Sequence, residues 1–261
     1  MNRTSGVALV LAAVCVVGTR LPATAQSAPS VLERLNGYWD CVDARGVKGV
    51  RAYAAFVDGS RAPNDTRDNV YGREDQTVRD VPVTSWEHIA GDGSRYTIES
   101  MDGNASTESP TPNGMRFVGL DPDGKPLTIA YAFTNDDRFE RTVDVSGTTS
   151  GERCVRQPAP AQPSATCDQP DQPGRTVKEA PAPTTDDDWI GAPATADVDI
   201  RVVLDDRSQV LWAEVVRSGW TKFNSAAVDS ARATVFQTSI HACRPRAAQF
   251  LFEVTFDNTP S

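Results

Sequence analysis

The sequence has little of what enzymes and nucleic-acid-binding proteins need at their functional sites. It contains two histidines, His88 and His241, and it has no C-x-x-C and no G-x-S-x-G motif. Its 26 basic residues are outnumbered by 35 acidic ones, which argues against a nucleic-acid-binding surface because such a surface must be basic. We therefore predict a protein that is not an enzyme, binds no nucleic acid and holds neither a cofactor nor a metal.

The first 25 residues have the pattern of a secretory signal peptide. Arg3 precedes an apolar run over residues 6–18, and the small-residue triplet Ala23-Thr24-Ala25 follows it. This arrangement predicts cleavage after Ala25 and export to the periplasm or cell envelope. The alternative is an uncleaved inner-membrane anchor formed by residues 6–18, although that run is shorter than the ~20 residues that span a bilayer.

A proline-rich segment divides the remaining chain. Residues 156–193 hold eight of the eighteen prolines and few large apolar side chains, a composition typical of an extended linker. The segment separates a first module, residues 31–155, from a second module, residues 194–261.

Four cysteines remain after Cys15 of the signal peptide is set aside: Cys41, Cys154, Cys167 and Cys243. An even number of cysteines in an exported protein indicates disulfides. We predict the pairs Cys41–Cys154 and Cys167–Cys243, because each pair then brackets one module and no bond ties the two modules together across the linker.

The first module has the pattern of an antiparallel β-barrel. Turn signals such as Asp58-Gly59 and Asp123-Gly124 separate short segments in which apolar residues alternate with polar ones. The alternation places one set of residues on a common face in each of three segments: Tyr96, Ile98 and Ser100; Ile129, Tyr131 and Phe133; and Phe139, Arg141, Val143 and Val145. Many short strands of this kind favour a closed barrel.

Gly37-Tyr38-Trp39 stands where the first strand of that barrel would begin. This Gly-x-Trp resembles the opening of lipocalin-type barrels and of the lipocalin-like domains of exported bacterial proteins. The resemblance implies a barrel that carries a small apolar ligand. The alternative is that Trp39 is structural and plugs the barrel floor, and large inward side chains would then fill the interior.

The second module has the order β-β-α-β. Alternation predicts strands near residues 198–205, 211–216 and 249–257, with Phe250, Phe252, Val254 and Phe256 on one face of the last strand. Asn224 is a suitable N-cap for a helix over residues 226–235, whose apolar stripe would be Ala227, Val228, Ala231 and Val235. The whole chain is thus predicted to be α+β and mainly β.

Residues 198–205, 213–219 and 223–236 of this module are similar, in order, to the V-x-V-x-x-D, V-x-x-S-G, L-D-x-A-A-L-x-A-x-R and F pattern of the TonB C-terminal domain. The resemblance covers residues 195–257. It implies an energy-transducer-like protein in envelope transport, whose last strand binds an extended strand of a partner such as an outer-membrane receptor. By resemblance the partner-binding edge comprises Gln249, Leu251, Glu253, Thr255 and Asp257.

Overall fold

The computed structural model describes residues 30–57, 66–107, 110–158 and 171–257. The predicted signal peptide at residues 1–25, the cleavage position after Ala25 and the predicted disulfide partner Cys167 lie outside the described residues. Within the described ranges, no helix combines the length and the apolar character that crossing a membrane requires.

Ten strands of the described chain form a closed antiparallel barrel. Consecutive strands pair with each other, and the barrel closes because the first strand pairs with the last as well as with the second. The strands are β1 Gly37–Asp43, β2 Lys48–Phe56, β3 Asp68–Val78, β4 Val81–Gly91, β5 Tyr96–Ser100, β6 Gly103–Thr107, β7 Gly114–Leu120, β8 Pro126–Asn135, β9 Arg138–Val145 and β10 Thr148–Arg156. The barrel that the alternating segments predict is thereby confirmed.

Alternation along these strands separates the interior of the barrel from its outer wall. Ile98, Ile129, Tyr131 and Phe139 are each at most 2% exposed and belong to one apolar cluster inside the barrel. Arg141, two residues beyond Phe139, is in the same inward phase and is also buried. The strand faces predicted for these segments are those of the structure.

The predicted disulfide between the first and last barrel strands is present. Cys41 and Cys154 are direct neighbours in the β1–β10 pair, with Cα atoms 4.1 Å apart, and their sulfur atoms are bonded. Cys243 is also disulfide-bonded. Its pairing with Cys167 stays a prediction because Cys167 is outside the described residues.

A short helix, α1 Val31–Leu35, and an aromatic cluster close one end of the barrel. Ser30 and Glu33 form a capping box at the start of α1. The indole N–H of Trp39 donates to the carbonyl of Leu35 at 2.7 Å, and the Arg156 guanidinium lies 4.1 Å from the Trp39 ring centre. Trp39, fully buried, therefore plugs the barrel floor.

The second module is built on a three-stranded sheet with the order β13-β12-β17 and a helix, α2, on one face. The order β-β-α-β that the sequence predicts is present, with three short strands between α2 and the last strand. The elements are β11 Arg175–Lys178, β12 Thr195–Leu204, β13 Val210–Ser218, α2 Asn224–Ala233, β14 Val235–Gln237, β15 Ser239–His241, β16 Arg244–Arg246 and β17 Ala248–Asp257.

Two details predicted for the helix are wrong. A 3₁₀ turn, Thr221–Phe223, runs directly into α2, so Asn224 is the first helical residue and Phe223 occupies the cap position. The helix ends at Ala233 because Thr234 is extended, and Val235 then lies in β14 and is 52% exposed. Phe236 takes its place in the core. Ala227 and Ala231 are buried as predicted.

The second half of the segment predicted to be a linker has regular structure. β11 pairs with β14, and a 3₁₀ helix, Asp186–Trp189, places Trp189 edge-on to Phe223 with ring centres 4.7 Å apart. Thr185 and Asp188 form a capping box at its start. Residues 171–193 therefore pack against the second module rather than extend freely from it.

The two modules share a buried contact. Ala54 and Tyr71, on the outer wall of the barrel, lie in one apolar cluster with Val203, Leu211 and Trp212 of the second module. Each of these five side chains is less than a tenth exposed. Since one face of the β13-β12-β17 sheet packs against α2, this contact covers part of its opposite face.

Candidate functional site

Five charged side chains lie inside the barrel, away from the end that α1 closes. They come from five strands, β2, β3, β4, β9 and β10, and each is less than a tenth exposed: Arg51, Glu74, Glu87, Arg141 and Glu152. Each occupies an inward position in the alternation of its strand. Charged groups are rarely buried to this extent unless they are paired, and we name this set the interior charged cluster.

Arg51 and Arg141 connect the members of the interior charged cluster. Arg51 Nη2 lies 2.6 Å from a carboxyl oxygen of Glu74 and 2.6 Å from one of Glu152. Arg141 Nη2 lies 3.1 Å from Glu87 and 2.8 Å from Asp102 at the rim of the barrel. The Arg51–Glu74 and Arg141–Asp102 contacts are also hydrogen bonds, which strengthens these two ion pairs.

Glu87 is held in its charged form by its neighbours. The hydroxyls of Tyr53 and Tyr131 donate to Glu87 Oε1 at 2.5 and 2.6 Å. Burial raises the pKa of Glu87, but Arg141, Arg51 and the two hydroxyls together outweigh it, so that the pKa lies below its usual value. Burial raises the pKa of Tyr53 and Tyr131, so both hydroxyls remain donors.

Glu74 behaves in the opposite way. Burial raises the pKa of Glu74, Arg51 lowers it, and the neighbouring Glu152 carboxyl raises it again, to about 7. Two carboxyl groups therefore compete for one guanidinium, and the Glu74 carboxyl gains or loses its proton near neutral pH.

A cavity of about 300 Å³ opens above the interior charged cluster. Besides the cluster, its wall includes Asp43, Ser85, Ser100, Met101, Asp102 and Ser150. The other half of the interior is filled by the aromatic side chains of Trp39, Phe117, Phe133 and Phe139. The pocket is thus polar and charged, which differs from the apolar pocket that a lipocalin-type carrier implies.

Gly72 makes room for the cluster. A Cβ atom at this position would lie 2.6 Å from Cε1 of Tyr53 and 2.9 Å from Cγ of Glu87. Neither distance is sterically tolerable, so the absence of a side chain lets Tyr53 reach Glu87 across the inner wall.

β17, which carries the predicted partner-binding residues, is an edge strand. It pairs with β12 from Thr195↔Asp257 to Leu204↔Ala248, and no second strand of the described chain pairs with it. Phe252 and Val254 are buried on the face that packs against α2, as predicted, whereas Leu251 is 62% exposed.

The hydrogen bonds of β12 determine which backbone groups of β17 face outward. Gly219 N–H donates to the carbonyl of Asp197 at 2.8 Å, so the odd-numbered residues of β12 point toward β13. Bonding direction alternates along a strand, so the even-numbered residues of β12 point toward β17, where Val198 is paired with Val254. The residues of β17 whose N–H and C=O groups point to the outer edge are therefore those that the sequence predicts: Gln249, Leu251, Glu253, Thr255 and Asp257.

The described residues offer one grouping with the spacing of a metal site. Ligand atoms of Cys41, Glu152 and Cys154 lie within 4.8 Å of one another. The two sulfur atoms are bonded to each other and so are not thiolates, the form that binds metals. The grouping does not fit a metal ion.

Neither histidine belongs to the interior charged cluster. His88 stacks on Tyr71 with ring centres 4.3 Å apart, on the outer wall of the barrel near Trp212. His241 Nδ1 lies 2.6 Å from a carboxyl oxygen of Asp171 in the second module. Both positions are structural contacts.

Arg51, Glu74, Glu87 and Glu152 are not among the functional residues that the sequence predicts. The available signal was a charged residue in the inward phase of a strand, as in Gly49-x-Arg51-x-Tyr53 or Ser85-x-Glu87-x-Ile89. Arg141 was placed on the inward face by that alternation, but its partners are on other strands.

No protein-family model matches the chain, and no curated protein sequence matches it.

Proposed function

We propose that this chain is an exported protein of the cell envelope that binds an extended strand of a partner protein along the outer edge of β17. Strand addition draws its affinity from main-chain hydrogen bonds and its specificity from side-chain contacts. One observation carries the proposal: the backbone groups of Gln249, Leu251, Glu253 and Thr255 point to an edge that pairs with no strand of the described chain.

The resemblance to the TonB C-terminal domain supports the same function. The strands and helix that carry the resemblance occur in the β-β-α-β order, and the last strand is at the sheet edge. On this basis we infer an energy-transducer-like role in envelope transport, with an outer-membrane receptor-like protein as the partner. Cys41–Cys154 is compatible with an oxidising compartment.

Side chains beside the edge define what the partner strand must present. Glu253 lies 3.8 Å from Arg217, and the Thr255 hydroxyl donates to Asp197 at 2.9 Å, so both are occupied within their own sheet. Leu251, which precedes both residues in β17, is exposed. An added strand would cover Leu251, and we expect an apolar residue opposite it.

The alternative, a carrier of a small apolar molecule in a lipocalin-like barrel, has less support. Aromatic side chains fill one half of the interior, and buried carboxyl and guanidinium groups surround the cavity in the other half. An apolar ligand there would remove water from these groups without replacing its hydrogen bonds, which is unfavourable.

A photo-cross-linking residue at Leu251 tests the edge in envelope preparations that contain the full chain. A strand partner should be captured from Leu251 but not from Asp229, an exposed position on α2. Thr255→Pro should abolish the capture, since proline removes an outward N–H and obstructs an added strand. Thr255→Ala, which removes the hydroxyl but keeps that N–H, should retain it.

Hydrogen exchange gives the decisive comparison. In the bound state the amides of Leu251, Glu253 and Thr255 should gain protection, while those of Phe252 and Val254, already bonded to β12, should change little. Capture that survives Thr255→Pro, or protection without this alternation, would show that the partner binds elsewhere.

A further inference from the structure

The interior charged cluster does not balance its charge. Arg51 is shared by Glu74, Glu152 and, at 3.6 Å, Glu87, and Arg141 contacts Glu87 and Asp102. The Asp102 side chain is 40% exposed, so water solvates part of its charge. The three buried carboxyl groups still face only two guanidinium groups, which leaves one carboxylate in excess.

An uncompensated carboxylate below a protein surface is costly unless a proton or a cation neutralises it. A proton on Glu74, whose pKa is raised by burial to about 7, serves this purpose in part near neutral pH. A cation that reached the Glu74 carboxyl would replace that proton.

A second, independent observation points to a ligand. The Arg51 side chain is 5% exposed and lines the cavity, yet its Nε–H has no hydrogen-bond acceptor among the described residues. Buried donors without acceptors are rare in folded proteins. The guanidinium that lies between the two competing carboxyl groups thus has one N–H group, at Nε, without an acceptor among the described residues.

We propose that the open end of the barrel binds a small primary amine that carries a neighbouring hydroxyl or carbonyl oxygen, with its ammonium group on Glu74 and Glu152 and its oxygen on Arg51 Nε. This binding is separate from strand addition at β17. The cavity of about 300 Å³ holds a molecule of on the order of ten non-hydrogen atoms, since a water molecule occupies about 30 Å³ in the liquid.

Other ligand classes fit the site less well. An anion would add to the carboxylate excess, and an uncharged apolar molecule would leave both the excess charge and the Arg51 donor unsatisfied. A bare metal ion would compensate the charge but would offer no acceptor to Arg51 Nε. An amino alcohol or an amino amide satisfies both groups at once.

Binding of the amine is linked to pH. The charged and titratable side chains that surround Glu74 come from four other strands: Arg51 and Tyr53 of β2, Glu87 of β4, Arg141 of β9 and Glu152 of β10. Arg51 and Arg141 remain charged at neutral pH, so the proton that the ammonium displaces comes from Glu74. Affinity should therefore increase as the pH rises through about 7.

Isothermal titration calorimetry of the full exported chain tests the proposal with ethanolamine as the probe. Propylamine, which lacks the oxygen, and ethylene glycol, which lacks the charge, are the comparison ligands. We expect ethanolamine to bind at least tenfold more tightly than either of them. In buffers of different ionisation enthalpy, about half a proton should be released per ethanolamine at pH 7.

Glu74→Gln keeps the shape of the side chain and leaves the Arg51–Glu152 pair intact, so this variant should fold. We expect it to weaken ethanolamine binding at least tenfold and to abolish proton release, whereas Glu99→Gln, on the outer wall of β5, should change neither. The proposal is wrong if ethanolamine does not bind at millimolar concentration, if Glu74→Gln binds it as well as the parent chain, or if ethylene glycol binds equally tightly.

Discussion

The hydroxyl of Tyr38 donates a hydrogen bond to Oδ1 of Asp206 at 2.5 Å. Tyr38 is on the outer wall of the barrel and Asp206 follows β12, so the bond joins the two modules directly. The Arg207 guanidinium lies 3.5 Å from the centre of the Tyr38 ring. Burial and the hydrogen bond to Asp206 raise the pKa of Tyr38 above its usual range, so the hydroxyl keeps its proton.

Because the modules share a buried apolar contact, we expect the chain to unfold in a single calorimetric transition. Trp212→Ala, which removes the largest side chain that the second module places in this contact, should lower the free energy of unfolding by about 3–5 kcal/mol and separate the transition into two. Val216→Ala, at an exposed position of the same strand, is the control and should keep one transition. Two transitions in the parent chain would show that the contact does not couple the modules.

The raised pKa of Glu74 makes stability depend on pH with a defined sign. The carboxyl of Glu74 binds its proton more tightly in the folded state, with a pKa of about 7, than in the unfolded state, whose ordinary value is 4.5. Its contribution is therefore complete below about pH 4.5 and is lost as the pH rises through about 7. Urea unfolding of the parent chain and of Glu74→Gln at several pH values in this range measures the contribution of Glu74 to the free energy of unfolding. The stability of the parent should fall relative to the variant as the pH rises, and a constant difference would contradict the assignment.

Gly72→Ala should destabilise the barrel. The added methyl group would collide with Tyr53 and Glu87, and overpacking of this kind costs about 1–3 kcal/mol. Gly151→Ala, in another strand of the barrel, is the matched control. A Cβ there would lie 3.4 Å from the Thr142 side chain, which is an ordinary van der Waals distance. The melting temperatures of the two variants should differ by several degrees. Equal melting temperatures would mean that Tyr53 and Glu87 shift and accommodate the added methyl group.

Two neighbouring residues of β17 should differ sharply in their effect on stability. Phe252→Ala opens a cavity among the side chains under α2 and should cost about 3–5 kcal/mol. Leu251→Ala, at an exposed position on the opposite face, should change the free energy of unfolding by less than about 0.5 kcal/mol. Chemical denaturation of both variants measures the difference. A large loss from Leu251→Ala would show that this face is covered and unavailable to a partner strand.

Much of the fold could be predicted because apolar and polar residues alternate along each strand, and this alternation can be read from the sequence alone. Tyr96-x-Ile98 and Ile129-x-Tyr131 identify the inward face without knowledge of any other strand, since side chains on a strand alternate with a period of two. The same period of two identifies Leu251 and Thr255 as residues whose backbone N–H and C=O groups point to the outer edge of β17. Val235 was misplaced because the helical period continues through it, whereas its pairing with Lys178 of β11 ends the helix earlier.

Such patterns could not predict the interior charged cluster. Arg51, Glu87 and Glu152 belong to three separate strands, and nothing local in the sequence connects them. What joins them is barrel closure, in which β1 pairs with β10 and Cys41 meets Cys154 across 113 residues. Only that closure brings the carboxyl groups of β3 and β10 to the same guanidinium.

The sequence by itself determined the strand faces, the β-β-α-β order of the second module and the cysteine pair of the barrel, because each depends on neighbours in the chain or on a bracketing pair. Tertiary structure alone decided that Glu74 and Glu152 share Arg51, that residues 171–193 pack on the second module, and that Tyr38 bonds to Asp206. These contacts depend on how the strands curve and how the modules meet, and the identities of adjacent residues do not encode that geometry.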